Sequence, residues 1–185
     1  MTTTITLSRE TKSRLSEAMP FQKLAESVRD NALALAQDKY AIFQRGSDIE
    51  SLLRHRDFFE KFKYGLAVGI ADALAASDQR VLAEYVYDPS LNPDSEDGEG
   101  LPLEATLHLL VLVSSPSAAL SAFVAALDRA LTASLKDLPS PLFTRRESVL
   151  DVNLITEKDV RLGVGYATLL ASVFAPPIKV WARET

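Results

Sequence analysis

The chain contains no cysteine, and this absence excludes several kinds of chemistry. Thiolate nucleophiles, thiolate metal sites, disulfide bonds and redox switches all require that side chain. A chain of 185 residues buries roughly 70% of the surface that its unfolded form exposes, so it needs no covalent cross-link to hold a core. This length suits one domain, or one domain with a helical extension.

An excess of basic residues is also missing. The chain has 20 Lys and Arg residues against 25 Asp and Glu residues, for a net charge of -5, whereas nucleic-acid-binding domains usually carry a basic face. No apolar run reaches the roughly 18 residues that cross a bilayer, and the first residues lack the basic and apolar regions of a signal peptide. We therefore expect a soluble cytoplasmic protein that binds neither nucleic acid nor a membrane.

Two helical segments are predicted before residue 80. Apolar residues at steps of three and four indicate a first helix over Phe21–Arg45, which Gly46 can close. Ser47 and Glu50 have the spacing of a capping box, and the apolar stripe that follows predicts a second helix to about Ala76. Together the two segments predict an antiparallel helical hairpin. The residues before Pro20 are expected to form either a short edge strand at Thr2–Leu7 or a frayed tail.

Strands and helices alternate in the rest of the chain. The apolar run Leu107–Val113 is typical of a strand that is buried on both faces. The acidic, proline-containing stretch Asp88–Pro102 predicts a mobile surface loop. Strands are predicted at Val81–Tyr87, Glu104–Ser114, Val149–Ile155 and Ile178–Trp181, and helices after Pro116 and over Thr156–Phe174. We predict an α+β fold, a small four-stranded mixed sheet with flanking helices, preceded by the helical hairpin.

Four phrases of the sequence carry a family resemblance. In order they are ALAASDQRVLAEYVYDPS, ATLHLLVLV, SVLDVNLITEKDV and PPIKVWAR. They resemble the first helix and strand, the second strand, the third strand and the terminal strand of the minimal nucleotidyltransferase fold in the polymerase-beta-like superfamily. The resemblance covers about 125 residues. It implies a nucleotidyltransferase-like α+β domain over residues 61–185, with residues 1–60 as an N-terminal helical segment packed on it.

The catalytic motifs of that superfamily are absent from the corresponding positions. Its members approach the triphosphate with a Gly-Ser turn and hold two divalent ions with three carboxylates, but here the turn reads Asp88-Pro89. Thr106 and His108 stand where the family has paired aspartates, and only Asp151 stands at a family carboxylate position. Because one carboxylate cannot hold two magnesium ions, the resemblance implies a noncatalytic domain with no metal ligands, no cofactor and no catalytic residues.

Two small sets of residues are candidates for function. Asp88, His108 and Asp151 form a predicted ligand-binding cluster, because a histidine on one strand can act as a ligand or base together with a carboxylate on the adjacent strand. The alternative for His108 is a structural role inside an apolar strand. Phe58 and Phe59 are neighbours that cannot both face one narrow seam, so we predict that they form an interface in a homo-oligomer or with a protein partner. The alternative is an intramolecular bundle in which the long helix bends at its glycines.

Three functions remain open on the sequence alone. The first is a noncatalytic nucleotidyltransferase-like domain that acts by binding or protein association. The second is an active metal-dependent enzyme with rearranged ligands. The third is a structural or adaptor protein unrelated to that superfamily.

Overall fold

A computed structural model describes residues 9–40, 48–87, 104–173 and 176–184 of the chain. Within these ranges the elements follow one another as three helices, two strands, two helices, a strand, two further helical turns and a last strand. The helices are α1 Arg9–Tyr40, α2 Ile49–Arg54, α3 Arg56–Ser77, α4 Ala118–Lys136, α5 Pro141–Thr144, α6 Glu157–Leu162 and a 3-10 helix Gly165–Ala171; the strands are β1 Val81–Val86, β2 Leu107–Val113, β3 Leu150–Thr156 and β4 Ile178–Ala182.

The four strands form one mixed sheet in the order β3-β2-β1-β4. β1 lies between β2 and β4 and is antiparallel to both, whereas β2 and β3 are parallel. A parallel pair needs a long crossover connection, and here α4 and α5 supply it. The predicted α+β class, with a four-stranded mixed sheet and flanking helices, is therefore confirmed.

The N-terminal helices differ from the prediction in their bounds. α1 begins at Arg9, before Pro20, so the predicted start at Phe21 is wrong. A proline removes one helical hydrogen bond, but here the helix continues on both sides of it. The second predicted helix is divided at His55, whose backbone is extended (φ -82°, ψ 124°). Thr2–Leu7 and the junction at residues 41–47 lie outside the described residues.

The N-cap of α2 is Asp48, one residue after the predicted cap. Its side-chain Oδ1 accepts a hydrogen bond from the amide of Ser51 at 2.7 Å, as an N-cap carboxylate does. This bond to the Ser51 amide lowers the pKa of Asp48. The prediction chose Ser47 because its spacing to Glu50 fits a capping box, but an aspartate one position later satisfies the same orphan amides equally well.

α1 packs directly against α3 through small residues. A Cβ added to Gly65 would lie 2.9 Å from the Cα of Ala32, and one added to Gly69 would lie 3.1 Å from Cγ1 of Val28. Going forward along α3 from Gly65 to Gly69, the contacted residue of α1 goes back from Ala32 to Val28. The two helices therefore run in opposite directions at this contact. Gly65 and Gly69 are therefore sites of close packing.

Phe58 and Phe59 lie in the main core, with 0% and 1% of their surface exposed. The Phe59 ring stacks on that of Phe143 in α5, with centroids 6.0 Å apart. Both rings are thus covered inside their own chain, and for Phe59 the helix α5 supplies a partner that the sequence pattern did not reveal. The predicted interface cannot use these two side chains as an exposed contact surface, and self-association remains a prediction.

The two faces of the sheet are covered unequally. Odd-numbered residues of β2, such as Leu109 and Val111, belong to the large core beneath the long helices. The opposite face carries a small cluster around Leu110, Ile155 and Ala167 of the 3-10 helix. The first face is therefore mostly buried, with Val152 and Leu154 of β3 only partly buried, and the other face is only partly covered.

α4 is the apolar helix of the crossover. By length and composition this helix could cross a membrane, and it is the one such helix among the described residues. Of its apolar stretch, 39% is buried inside the protein. Asp128 and Arg129 interrupt this stretch, so no uninterrupted apolar run within it reaches the roughly 18 residues that cross a bilayer. The core helix of a soluble protein can have the same length and apolar composition.

The C-terminal part departs from the prediction in two places. α5 is not predicted from the sequence, because Pro139 and Pro141 indicate the end of the preceding helix, whereas in the structure Pro141 begins the short helix. The helix predicted over Thr156–Phe174 ends at Leu162, because Gly163 adopts a left-handed conformation (φ 60°). Its capping box of Thr156 and Asp159 is present as the sequence indicated.

Glu84 is an acidic residue of β1 whose side chain lies within the large core. Glu84 is 0% exposed, and neither of its carboxyl oxygens has a hydrogen-bond partner in the part of the chain that the structure describes. Its cross-strand neighbours are Val111 on β2 and Trp181 on β4. Burial raises the pKa of Glu84 to about 9, and the charge of Asp72 on α3 adds to the shift, so the carboxyl is neutral at pH 7 in the folded protein.

Candidate functional site

A polar cluster lies on the less covered face of the sheet, across the parallel pair β2 and β3. His108 and Asp151 are direct register partners in this pair, and alternation along each strand directs both side chains to the same face. Nδ1 of His108 is 2.8 Å from Oδ2 of Asp151. The structure thus brings together two of the three residues that the sequence singled out.

Asp151 is the hub of the hydrogen bonds in this cluster. The Tyr87 hydroxyl donates to the same Oδ2 at 3.1 Å, and Nδ2 of Asn153 donates to Oδ1 at 3.3 Å. Nδ2 of Asn153 also donates to the Tyr87 hydroxyl at 3.0 Å. Three side chains therefore donate hydrogen bonds to this carboxylate. They come from the end of β1, from β2 and from β3.

The pKa shifts define the protonation of these groups. The hydrogen bond from His108 is the largest cause that lowers the pKa of Asp151, so the carboxylate is ionised at neutral pH. An ionised carboxylate can only accept, so Nδ1 of His108 carries a proton. Burial, followed by the hydrogen bond to Asp151, raises the pKa of Tyr87 to about 12. Its phenol is therefore a donor at any physiological pH.

Aromatic rings surround the cluster. The Tyr87 ring lies 5.4 Å from that of His108 and 6.3 Å from that of Tyr166, tilted to each. Tyr166 is 51% exposed, and the side chains of His108 and Asp151 are 27% and 45% exposed. Solvent therefore reaches the cluster beside Tyr166. Nε2 of His108 has no hydrogen-bond partner among the described residues, so the cluster leaves this atom open to a ligand.

The sequence found part of this site. Asp88 lies outside the described residues, and Thr106 lies just before β2, half-buried. Tyr87, Asn153 and Tyr166 were not predicted as members. Asn153 could have been found from the period of two along a strand, since it shares a face with Asp151. Tyr87 and Tyr166 depend on the strand pairing and on the path of the 3-10 helix, neither of which is readable from spacing.

Metal binding would need further oxygen or nitrogen donors. Within the part of the chain that the structure describes, no group of three His, Asp or Glu side chains is arranged to hold a metal ion. The groups around Asp151 donate hydrogen bonds to its carboxylate oxygens, so they compete with a cation for these oxygens.

No protein-family model matches the chain, and searches of curated proteins and of solved structures give no significant match either. The resemblance to the nucleotidyltransferase superfamily therefore depends only on the sequence phrases and remains a prediction.

Proposed function

We propose that this chain is a noncatalytic nucleotidyltransferase-like domain that acts by binding, with the cluster of Tyr87, His108, Asp151 and Asn153 as its ligand site. The observation that carries the proposal is the engagement of Asp151. All three neighbouring donors point at its two oxygens, so the carboxylate that would have to hold catalytic metal ions already serves the internal hydrogen bonds. What the cluster offers outward is Nε2 of His108 and the exposed ring of Tyr166.

The proposal includes the N-terminal helical segment of residues 1–60, packed on the main domain of residues 61–185. The contacts of Ala32 with Gly65 and of Val28 with Gly69 favour this packing, because they join α1 to the part of α3 that belongs to the main domain. Since the two helices run in opposite directions there, the same contacts also favour the predicted helical hairpin. The mixed sheet with a helical crossover is also in keeping with the proposed nucleotidyltransferase-like fold.

The chain has two histidines, and this allows a sharp binding test. The imidazole proton resonances of His55 and His108 are assigned by comparing the wild type with His55→Gln. Nucleoside triphosphates are then added, with and without magnesium. We expect the His108 resonance to shift on binding, while that of His55, on the helical side of the chain, stays in place. Asp151→Asn should abolish the shift, because an amide cannot hold the imidazole in the same tautomer as strongly.

Catalysis is tested in parallel with labelled nucleoside triphosphates, magnesium or manganese, and mixed protein and small-molecule acceptors. We expect no metal-dependent labelling. Labelling that Asp151→Ala abolishes would contradict the proposal and establish an active enzyme with rearranged ligands.

That enzyme alternative has one observation in its favour. A histidine whose Nδ1 is held by a carboxylate leaves Nε2 able to accept a proton, as a general base does. If neither nucleotide binding nor labelling is observed and His108→Ala leaves stability unchanged, the adaptor function without this ligand site is favoured instead.

A further inference from the structure

Among the described residues, β3 is an edge strand with an open outer side. Its only neighbour within that part of the chain is β2, and the two strands pair over seven residues without a bulge. The amide of Leu107 donates to the carbonyl of Val149 at 2.8 Å, so alternate residues from Val149 onward bond to β2. The residues between them, Leu150, Val152 and Leu154, direct their backbone groups outward.

At Leu150, the first of these positions, the outward backbone groups have hydrogen-bond partners within the chain. At Val152 and Leu154 they have none among the described residues. Oδ1 of Asp128 on α4 accepts the amide of Leu150 at 2.9 Å, and the Ser148 hydroxyl donates to the carbonyl of Leu150 at 3.1 Å. No comparable partner exists for Val152 or Leu154 among the described residues. Such a row of unpaired backbone groups is a template for another strand.

The two edges of the sheet differ in their protection. β4 is only five residues long, its ladder to β1 has a bulge, and it carries Lys179. Short length, irregularity and lysine are the devices that keep an edge strand single. β3 contains neither lysine nor proline and is regular over its whole length. The β3 edge is therefore the one available for pairing.

A groove beside this edge can receive the side chains of an added strand. It has a volume of about 390 Å³ and lies between α4 and β3, lined by Ser121, Val124 and Ala125 on one side and by Leu150, Val152 and Leu154 on the other. The outer side of α4 includes small exposed residues, among them Ala118, Ser121, Ala122 and Ala125. This accounts for an apolar helix of which less than half is buried.

Exposed apolar side chains are concentrated just after β3. Of six large apolar residues that are exposed in the described part of the chain, five belong to the segment that follows this strand: Val160, Leu162, Val164, Tyr166 and Val173. Apolar surface of this kind marks interaction sites. It begins four residues beyond the end of β3.

Charges at the two ends of β3 are opposite in sign. Arg145, Arg146 and Glu147 precede the strand and carry a net charge of +1, whereas Glu157, Lys158 and Asp159 follow it and carry -1. An antiparallel pairing of two identical strands places the basic approach of one beside the acidic exit of the other. A second copy of the chain is therefore complementary in charge to this edge.

We propose that two copies of the chain pair through β3 in an antiparallel manner across a twofold axis, so that their sheets join into one of eight strands. Val152 of one copy lies opposite Leu154 of the other, and both side chains enter the groove beside α4. The small outer residues of the two α4 helices then approach each other. This pairing goes beyond the proposed ligand site and does not depend on it, although Asp151 belongs to that site and also lines the groove.

The test is the mass in solution, measured by light scattering across micromolar concentrations. We expect about 40 kDa, twice the 20.2 kDa of one chain, as for a cyclic dimer. Val152→Lys should give a monomer over the range in which the wild type is a dimer, because a lysine on an edge opposes strand addition. Tyr64→Lys, a matched change at an exposed position of α3, should leave the dimer intact.

A second pair of variants keeps the test independent of the folding of Val152→Lys. Arg145 and Glu157 are both exposed. Arg145→Glu should raise the dimer Kd by roughly tenfold, since the charge occurs twice in a symmetric interface. Arg145→Glu combined with Glu157→Arg should restore the wild-type Kd, because the complementary charges are exchanged.

Several results would overturn the proposal. A wild-type mass near that of one chain at every concentration excludes the dimer, and a dimer that persists in Val152→Lys excludes the β3 edge. Charge variants that do not compensate each other exclude the antiparallel orientation. A monomer that floats with phosphatidylcholine–phosphatidylserine vesicles would show that the exposed side of α4 serves a membrane instead.

Discussion

Glu84 should make the stability of the fold depend on pH in a direction opposite to that of most acidic residues. Its folded-state pKa is about 9, against 4.5 for an exposed glutamate. Below pH 4.5 the carboxyl is protonated in both the folded and the unfolded chain, and the residue causes no pH dependence. Between pH 4.5 and pH 9 the unfolded chain releases its proton while the folded chain keeps it. Stability is therefore lost as pH rises through this window.

The size of the effect follows from the width of the window. Each pH unit between the two pKa values costs about 1.4 kcal/mol, so at pH 7 the penalty is roughly 3 kcal/mol. This is a large part of a typical free energy of unfolding. Glu84→Gln resembles the protonated side chain in shape and polarity but cannot ionise in either state. We expect it to match the wild type near pH 4.5 and to exceed it by roughly 3 kcal/mol at pH 7.

Urea unfolding monitored by circular dichroism at several pH values measures this difference. The wild-type midpoint should fall as pH rises from 5 to 8, whereas the difference from Glu84→Gln should grow steadily over the same range. Glu104→Gln, at an exposed position, controls for the loss of one negative charge. Parallel pH profiles for the wild type and Glu84→Gln would refute the reasoning, since they would mean that Glu84 ionises in the fold as readily as in the unfolded chain.

Three further predictions concern packing and the start of β3. Gly65→Ala should destabilise the fold by about 1–3 kcal/mol in urea unfolding, because its Cβ would meet the backbone of Ala32 at 2.9 Å; unchanged stability would show that α1 and α3 separate easily. Asp128→Ala should cost about 2 kcal/mol, because the carboxylate accepts two backbone amides at the start of β3, and Asp128→Asn should recover part of the loss. Phe59→Glu should prevent cooperative thermal unfolding altogether, because the ring is 1% exposed; a folded monomer would instead support the original interface prediction.

The sequence predicted the strands better than the helices. Alternating and apolar runs located all four strands to within a few residues, because a strand is defined by the local pattern of its own side chains. The bounds of the helices depended on single cap and breaker residues. Pro20 did not begin α1, and His55 divided a helix whose apolar stripe continues on both sides of it. Such outcomes are decided by tertiary packing, which outweighs local propensity.

The candidate site was predicted in part for a similar reason. His108 and Asp151 were paired from the expected adjacency of two strands, and the parallel register places them side by side. Tyr87 joins them from the end of β1, where the amide of Tyr87 donates to the carbonyl of His108 at 3.2 Å. That contact depends on which strands are neighbours in the sheet. Strand order is a property of the whole chain, so no local pattern contains it.

The position of β1 at the centre of the sheet constrains the order in which the chain can fold. Its partner β4 lies about 90 positions later in the chain, as the pairing of Val86 with Ile178 shows. The loop-closure entropy of this contact is therefore set almost entirely by the length of the intervening segment. During synthesis β1 must wait with one edge open until β4 has emerged, and contacts between distant segments slow folding in general. We expect nascent chains stalled before Ile178 to remain sensitive to protease along β1, even where α1 and α3 are already protected.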